Sequence, residues 1–322
     1  MLAPLVLQLL LPLALLAWLA FAPAGSLLAW ALQALGVVTF LVALGLVGLW
    51  TLPPWWTPWL YGALWCAAVI ATLLRRGLPT PALPGNGGAW LTAGSGLLLL
   101  ATALWQGGVA LAGRVVPEGP VVDLPNPLGP GRYLVGHGGS TTLVNAHQGI
   151  LEAESPRLRR WRGQALAIDL LGLDDDGRTR RGLRPEDPAR YTIWGAPVHA
   201  PCAGRVVQRE NGLPDQRVPE RDWVRLPGNH VLLRCGDFEV LFAHLQRGSV
   251  RVAAGERVSP GTLLGVVGNS GNSSEPHLHL HAQRPGPPDA PFAGDPLPLR
   301  IDGRWLVRND RIEGRAWSAR KD

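Results

Sequence analysis

The chain has 322 residues, 47% of them hydrophobic and only 17% charged, with a formal net charge of +6. The charge deficit is concentrated: residues 1–74 contain no Asp, Glu, Lys, Arg or His, which excludes a soluble domain there and marks membrane-embedded chain. The basic excess of the remainder comes without regularly interleaved aromatics or a nucleic-acid motif, which argues against a nucleic-acid partner.

In chain order, apolar runs occupy residues 2–21, 27–50, 56–74 and 89–112. Each approaches the ~20 residues needed to cross ~30 Å of hydrocarbon. Pro23-Ala24-Gly25-Ser26 separates the first two, and Pro53-Pro54 the next two. Tryptophans such as Trp18, Trp50, Trp55, Trp56 and Trp105 fall mostly near run ends, as an aromatic belt does, and Gly36, Gly45 and Gly48 allow close helix packing. The first run resembles a signal peptide at Ala20-Phe21-Ala22 but lacks the basic leading region. Arg75-Arg76 is the one charged inter-helix loop, so the positive-inside rule assigns it to the cytoplasm. Four spans then put both the N-terminus and the second half outside. The expected division is a transmembrane region, 1–114, and an extracytoplasmic domain, 115–322.

Residues 115–130 read as a Pro/Gly-rich linker, 133–135 and 164–171 as strands, and 151–162 as a loop or short helix. Asp169 is a lone acid in an otherwise apolar strand, a costly placement unless it is paired or binds a metal. Residues 195–201 read as a turn. Residues 204–207, 229–234, 239–242, 250–255 and 261–267 read as short strands with frequent Gly, the pattern of an antiparallel sandwich or barrel. One or two strands are expected in residues 285–322. Cys66 lies in an apolar run. Cys202 and Cys235 lie beside predicted strands, either as a disulfide, if outside the cytoplasm, or as two buried thiols.

The most informative stretch is Pro276-His277-Leu278-His279-Leu280-His281, which follows a Gly/Asn/Ser turn over residues 268–274. On a strand the three imidazoles share one face and the leucines the other. The chain has eight histidines, so three on one face is a concentration that points to a metal or catalytic site. His199 and His230 read as polar surface.

These motifs together resemble the lysostaphin-like zinc peptidases, which cut the peptide bridges of bacterial peptidoglycan. The resemblance is carried by His147, Asp169, Phe242-Ala243-His244-Leu245, Pro276-His277-Leu278-His279 and the Gly195-Ala196-Pro197-Val198-His199-Ala200-Pro201 segment, and spans residues 146–283. It implies a mostly-β peptidase domain in which His147, Asp169 and His279 bind Zn²⁺, while His244 and His277 act as non-ligand catalytic histidines. His137 is a rival for the first ligand. His281 stands where the family often has an acid, and a frame shifted to His279 and His281 is the alternative. The resemblance also implies that the strands flanking Cys202 and Cys235 are neighbours. The expectation is a multi-pass protein of the cytoplasmic membrane, in contact with its lipid and acting on peptidoglycan peptides. The alternative is a regulator of other wall hydrolases that keeps the fold without the activity.

Overall fold

The apolar runs form helices whose ends follow the breaks between them. The structure, a computed structural model, describes residues 5–22, 24–152 and 156–317. A π-helical turn over Val6–Leu10 leads into α1 (Leu11–Phe21), followed by α2 (Leu27–Val47), α3 (Thr57–Arg76) and α4 (Gly87–Ala112). The Ser26 hydroxyl caps α2 by accepting the Ala29 amide at 3.1 Å, and Gly77, at φ 68°, ends α3 in a conformation that favours glycine. Helices α2, α3 and α4 are long and apolar enough to cross a membrane, whereas the helical stretch Val6–Phe21 is shorter. Residues 2–4 of the first run lie outside the described residues. Gly36 packs against Gly96: a Cβ on Gly36 would lie 2.6 Å from the Gly96 carbonyl oxygen, so α2 and α4 approach backbone to backbone. Two buried polar side chains donate to carbonyls within the bundle. Gln33 donates to the Trp18 carbonyl at 3.0 Å, and Tyr61 to the Gln8 carbonyl at 2.6 Å.

The chain divides into two compact units, Met1–Ala112 and Gly113–Asp322. The second is mostly β. Its main sheet runs β14 (Arg311–Gly314), β2 (Gly131–His137), β3 (Ile168–Leu173), β10 (Leu278–Gln283), β7 (Phe238–Leu245), β6 (Asn229–Cys235), β5 (Gly204–Glu210) and β8 (Arg257–Val258). Every pairing along that path is antiparallel, and β11 (Pro296–Leu297) pairs with the end of β10. A small sheet joins β1 (Val122–Leu124), β12 (Leu299–Ile301) and β13 (Arg304–Trp305), and a further pair joins β4 (Pro197–His199) to β9 (Leu263–Val266). One face of the main sheet carries the core, with Val135, Leu170, Leu280, Phe242 and Leu233 packed with Val198 and Leu264. Cys202 and Cys235 form a disulfide with their Cα atoms 6.1 Å apart.

Several elements differ from the sequence reading. The strand expected over 164–171 begins only at Ile168, because residues 162–166 form a 3₁₀ turn in which the Gly163 amide donates to the Phe292 carbonyl. A short apolar run does not distinguish the two. Residues 250–255 form no strand; Val250 and Val252 are buried in the core without a ladder. Residues 195–201 contain β4 rather than only a turn, and the region after 285 holds four short strands.

Candidate metal and catalytic site

The site is built on one row of the main sheet. His137 on β2 is paired with Asp169 on β3, Asp169 with His279 on β10, and His279 with Ala243 on β7. Residues directly opposite on neighbouring strands project from the same face, so this row delivers His137, Asp169 and His279 together. His277 and His281 share the face because they lie two residues either side of His279.

His147 enters from outside the sheet, on the 3₁₀ turn Ala146–Gln148. Its Nδ1 donates to Asn145 Oδ1 at 2.9 Å, and Asn145 is held in turn by its own amide donating to the Gly139 and Ala167 carbonyls. A carbonyl oxygen only accepts, so His147 carries its proton on Nδ1 and turns a bare Nε2 toward Asp169 Oδ2, 3.6 Å away. His279 Nδ1 lies 3.0 Å from Asp169 Oδ1. A tetrahedral Zn²⁺ with bonds of about 2.0–2.1 Å holds its ligand atoms about 3.3 Å apart. The three donor groups, two imidazoles and a carboxylate, lie within 4.8 Å of one another and fit that geometry and chemistry.

His244 reaches the site by a break in alternation. Its neighbour Ala243 is paired with His279, so a regular strand would send His244 to the opposite face. The β6–β7 register slips between Asn229 and Val231, and His244 adopts φ 60°. Its ring then lies 4.8 Å from His277 and 5.6 Å from His279, centroid to centroid. His244 Nδ1 donates to the Ser270 carbonyl at 2.9 Å and His277 Nδ1 to the Glu275 carbonyl at 2.8 Å, so both rings present a bare Nε2. Arg180, 3.2 Å from the Glu275 carboxylate, steadies the turn that aims His277.

His137 is held differently. Its Nδ1 accepts from the Ala146 amide at 3.1 Å and from Arg308 Nη2 at 2.9 Å. Both partners only donate, so the ring proton sits on Nε2 and His137 stands as a donor rather than a lone pair. His199 and His230 join neither candidate cluster among the described residues. His230 is buried, with its ring edge-on to Phe292, not the surface residue its sequence setting suggests.

Burial dominates the electrostatics. It holds the His147 imidazole down to about 3 and His137 down to about 4, and keeps His244 and His281 well below the ordinary imidazole value. Burial pushes the Asp169 carboxyl up, but the surrounding His147, His277 and His279 imidazoles outweigh it and hold the group well below its usual range. At neutral pH Asp169 is thus ionised and His147 neutral, the protonation states that metal binding requires of these two groups. His147 and His277 keep 18% and 13% of their side chains exposed against 5% for His279, so the site opens on the His147–His277 side. Sequence reasoning passed over Asn145, Ser270 and Arg308. Asn145 lies two residues before His147, but Arg308 lies far along the chain and carries no local signal.

The family model of Peptidase family M23 matches residues 191–291, which contain His244, His277 and His279, while His147 and Asp169 precede the matched segment. Endolysin 2638A of Staphylococcus phage 2638A is 34% identical over 67 residues, 20% of this chain and 14% of that protein. Among solved structures, the catalytic domain of lysostaphin from Staphylococcus simulans is 20% identical, with a TM-score of 0.25, covering 39% of this chain and 71% of that one. A putative peptidase M23 from Pseudomonas aeruginosa is 17% identical, with a TM-score of 0.26, covering 56% and 54%. The histidine strand and the His244 strand end both lie inside the segment that matches Peptidase family M23.

Proposed function

We propose that the protein is a membrane-anchored zinc endopeptidase that hydrolyses peptide bonds in bacterial peptidoglycan cross-links. The observation that carries this reading is the pairing of two sets of groups around His279. His147 Nε2, Asp169 and His279 Nδ1 would hold the metal, and the bare Nε2 atoms of His244 and His277 lie beside it. His137 is left out of the ligand set because its Nδ1 is taken by two donors. Zinc, when bound, supplies a water acidified to a pKa of about 7 and a Lewis acid for the scissile carbonyl.

The chain's own residues do the rest. One of His244 and His277 takes the proton of the attacking water at Nε2 and passes it to the leaving amine. Once protonated, the same Nε2 is a donor, and either ring is placed to stabilise the oxyanion of the tetrahedral intermediate. The backbone carbonyls of Ser270 and Glu275 fix both rings, so neither has to reorient during turnover.

The helices long enough to span a membrane support an anchor, and the Cys202–Cys235 disulfide supports an oxidising compartment for the β domain. Both fit the positive-inside assignment of Arg75-Arg76 to the cytoplasm. The full chain in detergent, incubated with purified muropeptides, should release fragments whose masses identify a cut peptide bond, and a chelator should stop the release. Zinc-loaded protein that cleaves no muropeptide would replace this reading with that of a non-catalytic regulator.

A further inference from the structure

We infer that His281, Gln283 and Glu239 are positioning residues whose hydrogen-bonded chain sets the tautomer of His279, leaving its Nδ1 as a lone pair for the metal. The inference rests on the zinc reading above and concerns residues that the reading does not use.

The chain runs along the histidine face of β10 and then across the sheet. His279 Nε2 lies 3.1 Å from His281 Nδ1, and His281 Nε2 lies 3.4 Å from Gln283 Oε1. Gln283 Nε2 donates to Glu239 Oε2 at 3.2 Å, and Arg234 Nε donates to Glu239 Oε1 at 3.1 Å. Gln283 is paired with Glu239 across β10–β7, and Glu239 with Arg234 across β7–β6, so the last links are set by strand register. His281, Gln283 and Glu239 are all within 1% of complete burial, where no water corrects a mismatched donor or acceptor.

The polarity follows from the far end. A buried carboxylate only accepts, so the Gln283 amide nitrogen must face Glu239; its second N–H goes to the Pro291 carbonyl. Gln283 Oε1 is then turned to His281 and can only accept, which places the His281 proton on Nε2. With one proton per ring, His281 Nδ1 is the acceptor of the His279 Nε2–H, and the His279 lone pair is the Nδ1 that faces Asp169.

The reversed chain would set Gln283 Oε1 against a bare His281 Nε2, two acceptors in contact. A carboxylate at position 281 would accept from His279 unaided. A histidine does so only if its far nitrogen is kept protonated, which is the task of Gln283 and Glu239. Gly163 makes room for this arrangement: a Cβ there would lie 1.8 Å from Gln283 Oε1, so no other residue fits with Gln283 in place.

The test measures zinc affinity of the full chain in detergent by competition with a chromophoric chelator, with thermal unfolding of the same samples. His281→Leu should weaken zinc binding by about 10–100-fold, the usual effect of losing a partner of a ligand histidine. His281→Gln should stay within about threefold of wild type, since an amide both accepts from His279 and donates to Gln283. Glu239→Gln, isosteric and remote from the metal, should weaken binding by about tenfold, because it removes the carboxylate that, with the Pro291 carbonyl, holds the Gln283 amide nitrogen away from His281. His281→Leu or Glu239→Gln binding zinc as tightly as wild type overturns the inference, and so does His281→Gln as weak as His281→Leu. If His281→Leu fails to fold, Glu239→Gln and His281→Gln decide on the same criteria. Wild-type protein that binds no zinc overturns the zinc reading and the relay with it, whereas tight wild-type binding with unaffected variants overturns the relay alone.

Discussion

His279 Nδ1 and Asp169 Oδ1 face each other at 3.0 Å from directly opposed positions on β10 and β3, and the polarity of the chain behind His279 makes both atoms acceptors. Two acceptors at that separation repel unless a cation or a proton lies between them. Metal binding should therefore depend first on this pair. Asp169→Ala and His279→Ala should each abolish stoichiometric zinc in the purified chain, measured by elemental analysis. Asn145→Ala removes only the acceptor that orients His147 and should weaken affinity by about 10–100-fold without abolishing it. Full zinc in either ligand variant would refute the ligand set.

Binding and chemistry should separate at His244 and His277. Each alanine variant should keep near wild-type zinc while muropeptide cleavage falls by roughly 10²-fold or more, the usual size for a lost proton-transfer group or oxyanion donor. The double variant should be little worse than the poorer single, because groups acting on one proton are not additive. Loss of zinc from His277→Ala together with retention in His279→Ala would require the roles to be reassigned.

The buried imidazoles impose a pH dependence on the metal-free protein. His147 and His137 are held down to about 3 and about 4 from the ordinary 6.5, so between those values and 6.5 the unfolded chain binds more protons than the folded one. Stability should be fully present above about pH 6.5 and decline as pH falls toward 4. Asp169, held below its usual range, acts in the same direction at still lower pH. Thermal unfolding of chelator-treated protein across pH 4–8 should show a falling midpoint on the acid side. A flat profile would contradict the burial of these rings.

Thiol chemistry tests the bridge. Cys202 and Cys235 in protein taken from the cell envelope should resist alkylation until reductant is added. The bridge joins residues 33 apart, and a loop of that length is worth roughly 3–4 kcal/mol in the chain-entropy account. The double alanine variant should unfold at correspondingly lower temperature.

Sidedness has its own test. A reporter fused after Asp322 should be active only outside the cytoplasm, and one fused after Gly77 only inside. The opposite pattern would invert the reading of Arg75-Arg76.

Much of the architecture was legible because it depends on short-range periodicity. The absence of charge over residues 1–74 is a property of composition, and helices formed from such chain are apolar enough to cross a membrane whatever they pack against. The alternation His277-Leu278-His279-Leu280-His281 places three imidazoles on one face of any strand, and a lone acid at 169 in an apolar run already demands a partner. What only the tertiary structure decided depends on register and on backbone departures from regularity. His244 shares the site through a slip in the β6–β7 ladder and a φ of 60°, where plain alternation would point it away. Asn145 and Arg308 set the tautomers of His147 and His137 through contacts that no spacing in the sequence announces. Glu239 and Gln283 look like ordinary polar strand residues until β10 and β7 are paired, because a buried hydrogen-bond chain is defined by which atoms face each other across strands 44 residues apart.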